Sequence, residues 1–165
     1  MKFISLSTCF CIYLLVNLFS CKKESIDIPI GTIKVKIDGL EKTFNVEAKA
    51  IRLNVSGGYG VQVKGYFRSN STTTLRFSIV SPDPITTSTY IENAASNLLV
   101  TMTHCIEVIF PCVYQWSSYG SVTNPVSITI TAITGTSIKG TFKGELQGSA
   151  SGKTVFTNGV FYVSF

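Results

Sequence analysis

Histidine occurs once in this chain, and acidic residues number nine against fourteen Lys and Arg. Acid–base catalysis, an activated nucleophile or a bound metal needs histidines, carboxylates or thiols gathered at one place. Here there are few to gather, and the nine acids are scattered along the chain. No segment sustains a 3.6-residue apolar period, which excludes a helical bundle and leaves Glu92–Asn97 as the one plausible helical turn. Beyond the first twenty residues no apolar run approaches the roughly 20 residues of a membrane-spanning helix. The expectation is a non-enzymatic protein with no cofactor and no metal.

What the chain does have begins at its start. Lys2 is a minimal basic segment, and Phe3 to Phe19 is an apolar run broken only by Ser5, Ser7, Thr8 and Asn17. This is the layout of a cleaved export signal. Ser20 supplies the small residue before the cut, and Leu18-Phe19-Ser20-Cys21 resembles the bacterial lipobox. The resemblance implies that Cys21 becomes the first residue of the mature protein, carrying diacylglycerol and an amide-linked acyl chain. At roughly 0.8 kcal/mol per buried CH₂, with two chains sufficing for stable anchoring, such a group holds a protein on a membrane. The expected division is a signal peptide over 1–20, a tether over 21–30 ending near Pro29, and a single β domain over 31–165.

Cleavage at Cys21 leaves 145 of the 165 residues and lowers the net charge from +5 to +4, because Lys2 is the only charge removed. A chain of that length sustains one core without metals or dense cross-links. Lys34, Lys36, Lys42, Lys49, Arg52, Lys64, Arg68 and Arg76 are spread singly, whereas a nucleic-acid surface would need them clustered; no nucleic acid is expected as partner. Cys9 and Cys11 leave with the signal and Cys21 is consumed by lipid, so Cys105 and Cys112 remain. In an exported protein their default state is a disulfide, worth about 2.5 kcal/mol for a loop of roughly eight residues. Their spacing beside His104 is no zinc pattern.

From Gly31 the apolar period is two. Ile33, Val35 and Ile37 alternate with lysines, and Asp38-Gly39 supplies a tight hairpin turn. Alternation shifts phase near Ala48–Ala50, which suggests a bulge. Ser56-Gly57-Gly58-Tyr59-Gly60 reads as a loop, and a further hairpin is expected through Ser69–Ser71. Leu75, Phe77 and Ile79 form one strand face, and Ser81-Pro82-Asp83-Pro84 ends it. Leu98, Val100 and Met102 form another face running into His104, with a strand from Val113 to Trp116 beyond the cysteine loop. In the last third Ile128 and Ile130, then Ile138, Phe142 and Leu146, then Phe161, Val163 and Phe165 mark three more strands. Many short strands separated by Gly or Pro turns predict an all-β antiparallel sandwich, with a small calycin-like β-barrel as the alternative.

Two motifs in this last third, Ile138-Lys139-Gly140-Thr141-Phe142 and Thr157-Asn158-Gly159-Val160-Phe161, each set an aromatic beside a glycine. On them, Val126–Phe165 resembles the C-terminal half of a family of small Bacteroidetes cell-envelope lipoproteins of unknown function. The resemblance implies location, a lipid anchor in the outer membrane, and says little about activity. In that phylum an acidic cluster after the lipidated cysteine directs surface display; Lys22-Lys23-Glu24-Ser25 contains one acid.

Two surfaces are candidates for recognition. Tyr114 and Trp116 share a strand face and Tyr119 follows, an arrangement able to stack on a sugar ring, against the plainer reading that Trp116 fills the core. Ile106, Val108, Ile109 and Phe110 make the cysteine loop too apolar for an ordinary exposed tip; the expectation is that it folds back over an open end of the sandwich, with a partner or membrane contact as the alternative. The functional expectation is a lipid-anchored envelope protein that binds a glycan or an envelope protein, or serves a structural role. Its rivals are a carrier of an apolar small molecule inside a closed barrel and a hydrolase built on His104, a carboxylate and an exposed serine. An outer-membrane barrel would require Lys34, Lys36, Lys64, Arg68 and Arg76 to face a lumen and most strands to reach about 9–11 residues.

Overall fold

In the computed structural model of the chain, residues 27–68, 73–93, 99–106, 114–117, 123–148 and 152–165 are described, residues 99 and 114–117 through their backbone only. Among them the two-residue alternation produces eleven strands and no helix. The strands are β1 (Thr32–Ile37), β2 (Leu40–Phe44), β3 (Val46–Val55), β4 (Gly58–Tyr66), β5 (Thr74–Ser81), β6 (Thr89–Ile91), β7 (Leu99–Ile106), β8 (Tyr114–Ser117), β9 (Ser127–Ile133), β10 (Ser137–Gly148) and β11 (Lys153–Ser164). The expected signal peptide, Cys21, most of the tether, the turn at Ser69–Ser71 and most of the helical turn at Glu92–Asn97 lie outside the described residues.

The strands form one large sheet that folds over into two layers. One layer runs β2-β1-β11-β10-β9-β6 and the other β3-β4-β5-β7-β8. Within each layer every pairing is antiparallel. The layers meet at two corners: a single parallel pair, Ser164 with Lys49, and two antiparallel pairs, Gln147 with Ser117 and Gly148 with Trp116. Corners this slight fold the sheet without closing it, so the sandwich stands and the barrel alternative is set aside.

The core lies between the layers. Phe77 of β5 packs against Phe142 and Phe161 of the other layer, ring centroids 5.0 Å away in both cases. Ile33, Val35, Leu75, Ile79, Val100, Met102, Ile128, Ile130, Leu146 and Val163 surround them and are buried. In β5 the buried Leu75, Phe77 and Ile79 alternate with Arg76 and Ser78, the pattern of a strand with one wet face.

Local irregularities keep that alternation in phase. Asp38 and Gly39 both have positive φ, 50° and 84°, as a two-residue type I′ hairpin turn requires, and Ile37 pairs with Leu40 across it. Glu47, at φ 49°, is the extra residue where β3 slips against β4 between Val46 and Lys49, the bulge expected near Ala48. A second bulge, around Asn158 at φ 52°, puts one extra residue into β11. Thr154 and Phe156 before it and Phe161 and Val163 after it differ in parity, yet all are buried. Without the extra residue one pair would face water.

The two glycine–aromatic motifs meet each other in β10 and β11. Gly140 pairs with Phe161, and Phe142 pairs with Gly159. A Cβ on Gly140 would come within 2.7 Å of the Phe161 ring, and one on Gly159 within 2.8 Å of the Phe142 ring. Each aromatic thus lies over the glycine of the opposite strand. The expected loop Ser56–Gly60 is shorter than its composition suggests. Only Ser56 and Gly57 turn, while Gly58, Tyr59 and Gly60 belong to β4, where Gly60 makes room for Leu53.

Candidate functional site

The segment leading into β9 does not pair regularly with β10, and a groove forms where it crosses. Pro125 keeps the chain out of the ladder, and Asn124 instead accepts a bond from Glu145 N at 3.0 Å. Val126 and Glu92 exchange contacts from their backbones and from the Glu92 carboxylate, at 2.8 and 3.3 Å. Val126 runs so close over Gly144 that a Cβ there would approach its Cα to 2.7 Å. Opposite this crossing lies the β11 bulge. The resulting groove, about 390 Å³, is lined by Ile91, Asn124, Pro125, Ser127, Lys143, Gly144, Val155, Phe156 and Thr157.

Its walls combine two kinds of surface. Ile91 and Val155 are 47% and 39% exposed, unusual for large apolar side chains in strands with one wet face. Ser127 and Lys143 stand opposite each other in register, alternating with the inward Ile128 and Phe142, and Thr157 is exposed beside them. The groove therefore lies on the outer face of the six-stranded layer. It offers an apolar floor, an amide, two hydroxyls and one cation.

Glu145 braces the crossing from behind. It is 5% exposed, and its Oε1 takes Lys153 Nζ at 2.9 Å and Gln147 Nε2 at 3.2 Å, while Oε2 takes Asn124 Nδ2 at 3.3 Å. A buried carboxylate is tolerated where it is both ion-paired and hydrogen-bonded. Holding Asn124 by its side chain and by its carbonyl, Glu145 fixes one wall of the groove. Among the described residues no three of His, Cys, Asp and Glu come together as a metal site would need.

His104 is elsewhere, and it is not at a cleft. At 1% exposure it stands edge-on between Phe44 and Phe156, with centroids 5.9 and 5.7 Å away. Its Nδ1 donates to the carbonyl of Thr74 at 3.0 Å. Removal from water lowers its pKa from 6.5 to about 4, against the opposing effect of the Thr74 bond. The arrangement sought for a hydrolase, His104 in a solvent cleft, is not what this residue forms. Cys105 is on the opposite face of β7, so the two are not a catalytic pair.

Cys21, Cys112 and Tyr119 lie outside the described residues. The backbone places Tyr114 opposite Ile106 and Trp116 opposite His104. The side chains of Tyr114 and Trp116 lie outside the described part of the structure, so both the platform and the core reading remain expectations of the sequence. Val108, Ile109 and Phe110 of the cysteine loop are also outside the described residues.

No family model, curated protein or solved structure matches this chain. The groove was missed in the sequence because its residues come from β6, β9, β10, β11 and the segment before β9. One signal was present: Asn124-Pro125, Gly144-Glu145 and Thr157-Asn158 each interrupt alternation, and the three interruptions converge.

Proposed function

We propose that this protein is a lipid-anchored, non-enzymatic binding module of the cell envelope, held on the outer membrane through Cys21 and presenting its groove to a small ligand. The observation that carries the binding half is the composition of the groove wall. It joins exposed apolar surface to hydrogen-bonding groups on rigid strands, as ligand sites do, and among the described residues that line it Lys143 is the one titratable side chain. Among the described residues no acid–base pair lines it, which supports binding over catalysis. The ligand class that suits it has an apolar body and a neutral or anionic head.

The anchoring half is supported by Leu18–Cys21 and by the likeness to small Bacteroidetes lipoproteins. Strand direction is compatible with it. The chain enters the domain at Gly31, whose N–H donates to the carbonyl of Tyr162 at 2.8 Å, whereas the groove meets β11 at Val155–Thr157. Five residues of strand, about 17 Å, separate the two, so a ligand reaches the groove away from the tether. A Cys105–Cys112 disulfide belongs to the same reading. It is supported by the export route that the lipobox implies, in which two cysteines left over in a folded domain pair by default.

Binding is tested with anilinonaphthalene sulfonate, an apolar body with an anionic head, titrated into the full chain. Wild type gives saturable fluorescence. Val155→Glu, which removes an apolar wall and adds a like charge, weakens it about tenfold, equivalent to about 1.4 kcal/mol. Absence of saturable binding, or equal binding by a folded Val155→Glu variant, overturns the assignment of the groove.

A further inference from the structure

The outer face of the five-stranded layer carries a row of positive charge. β3, β4 and β5 pair so that Lys49 stands opposite Lys64, and Lys64 opposite Arg76. The row continues through Thr103. Residues directly opposite project from the same face, so three cations are aligned across the strands at steps of about 4.8 Å. Lys49 and Arg76 are exposed. The Lys64 ammonium lies 4.3 Å from the centroid of the Tyr66 ring and bonds to the Tyr66 hydroxyl, which steadies it in the row.

Like charges directly opposite in a ladder are unfavourable, and here they go uncompensated. Among the described residues none of the three forms an ion pair with a carboxylate; the Lys153–Glu145 pair belongs to the other layer. Glu47, exposed at the bulge two residues before Lys49, makes no ion pair with them. The neighbouring row, Ile51, Gln62, Ser78 and Thr101, is mostly polar, with Gln62 Nε2 donating to Ser78 Oγ at 3.1 Å. Ile51 is the one exposed large apolar side chain in these rows among the described residues.

We propose that this face binds an anionic polysaccharide laid across β3, β4 and β5, with Lys49, Lys64 and Arg76 each meeting a charged group of the chain. The charge is complementary, the cations repeat at about the step of one sugar unit in an extended chain, and hydroxyl and amide side chains flank them as sugar hydroxyls require. A membrane surface fits less well, since docking on lipid also draws on apolar side chains inserted beside the cations, and among the described residues of these two rows Ile51 is the one large apolar side chain that is exposed. The site is separate from the groove and does not depend on the anchor.

The test uses the full chain with dextran sulfate as probe and uncharged dextran as comparison, followed by anisotropy over a salt series. Two triple variants are compared: Lys49→Gln/Lys64→Gln/Arg76→Gln, and the charge-matched Lys34→Gln/Lys36→Gln/Lys139→Gln on the other layer. The first weakens dextran sulfate binding at least about tenfold and makes the dependence of log K on log salt shallower by about two, while the second changes binding less than about twofold, as expected for charges outside the site. Both keep the wild-type circular dichroism spectrum. Equal losses in the two variants, equal binding of uncharged dextran, or preferential binding of wild type to phosphatidylcholine vesicles containing phosphatidylglycerol overturns the proposal.

Discussion

His104 determines how the core responds to acid. Its folded-state pKa, about 4, lies below the ordinary 6.5 because burial beside Phe44 and Phe156 penalises the charged ring. Between those values the unfolded chain binds a proton that the folded chain refuses, so stability falls as pH drops from 6.5 towards 4 and is insensitive to this residue above about 7. At 1.36 kcal/mol per pH unit the loss amounts to about 3 kcal/mol. Lys42 acts with the burial and Asp38 against it. Urea denaturation from pH 7 to pH 4 checks this: wild type loses stability across that window, and His104→Met loses about 3 kcal/mol less. Parallel curves for the two proteins would mean that other groups set the acid response. Glu145 makes the second prediction at this scale. Glu145→Leu leaves the side-chain amides of Asn124 and Gln147 and the Lys153 ammonium without their acceptor and costs about 1–3 kcal/mol, measured by the same denaturation at pH 7, with weaker probe binding in the groove because Asn124 is released.

At the scale of elements, the strands were legible because burial on one face writes a period of two into the sequence. Leu75-Arg76-Phe77-Ser78-Ile79 and Ile33-Lys34-Val35-Lys36-Ile37 show it without ambiguity, and Asp38-Gly39 announces its own turn. Gly58-Tyr59-Gly60 was not legible, since glycines that make space for Leu53 look the same in sequence as glycines that turn. Register was hidden as well. Lys49, Lys64 and Arg76 appear as isolated charges along the chain and become neighbours only through pairing across three strands. The inward position of Glu145 ran against its charge, and only the fold supplies Lys153, Asn124 and Gln147 around it. The reciprocal pairs Gly140–Phe161 and Phe142–Gly159 are the most sensitive point of the β10–β11 hairpin. Gly159→Val forces a side chain into the Phe142 ring, and overpacking of this kind costs about 1–3 kcal/mol. A thermal melt of this variant shows a lowered midpoint; an unchanged midpoint would show that the ring moves aside without loss.

For the whole molecule, two corner pairings hold two layers around an aromatic core, and the two surfaces proposed to bind lie on their outer faces. The groove on one layer and the cation row on the other depend on the sandwich for position, not on each other. The proposed anchor is the stretch Leu18-Phe19-Ser20-Cys21, and the proposal of an envelope module stands on it. The most direct measurement is metabolic labelling with an alkyne fatty acid, followed by fractionation of cells producing wild type or Cys21→Ala. Wild type should be labelled and found with membranes, and Cys21→Ala should be unlabelled and released from them. A Cys21→Ala protein that is still labelled and membrane-bound would contradict the anchor and with it the proposed place of work.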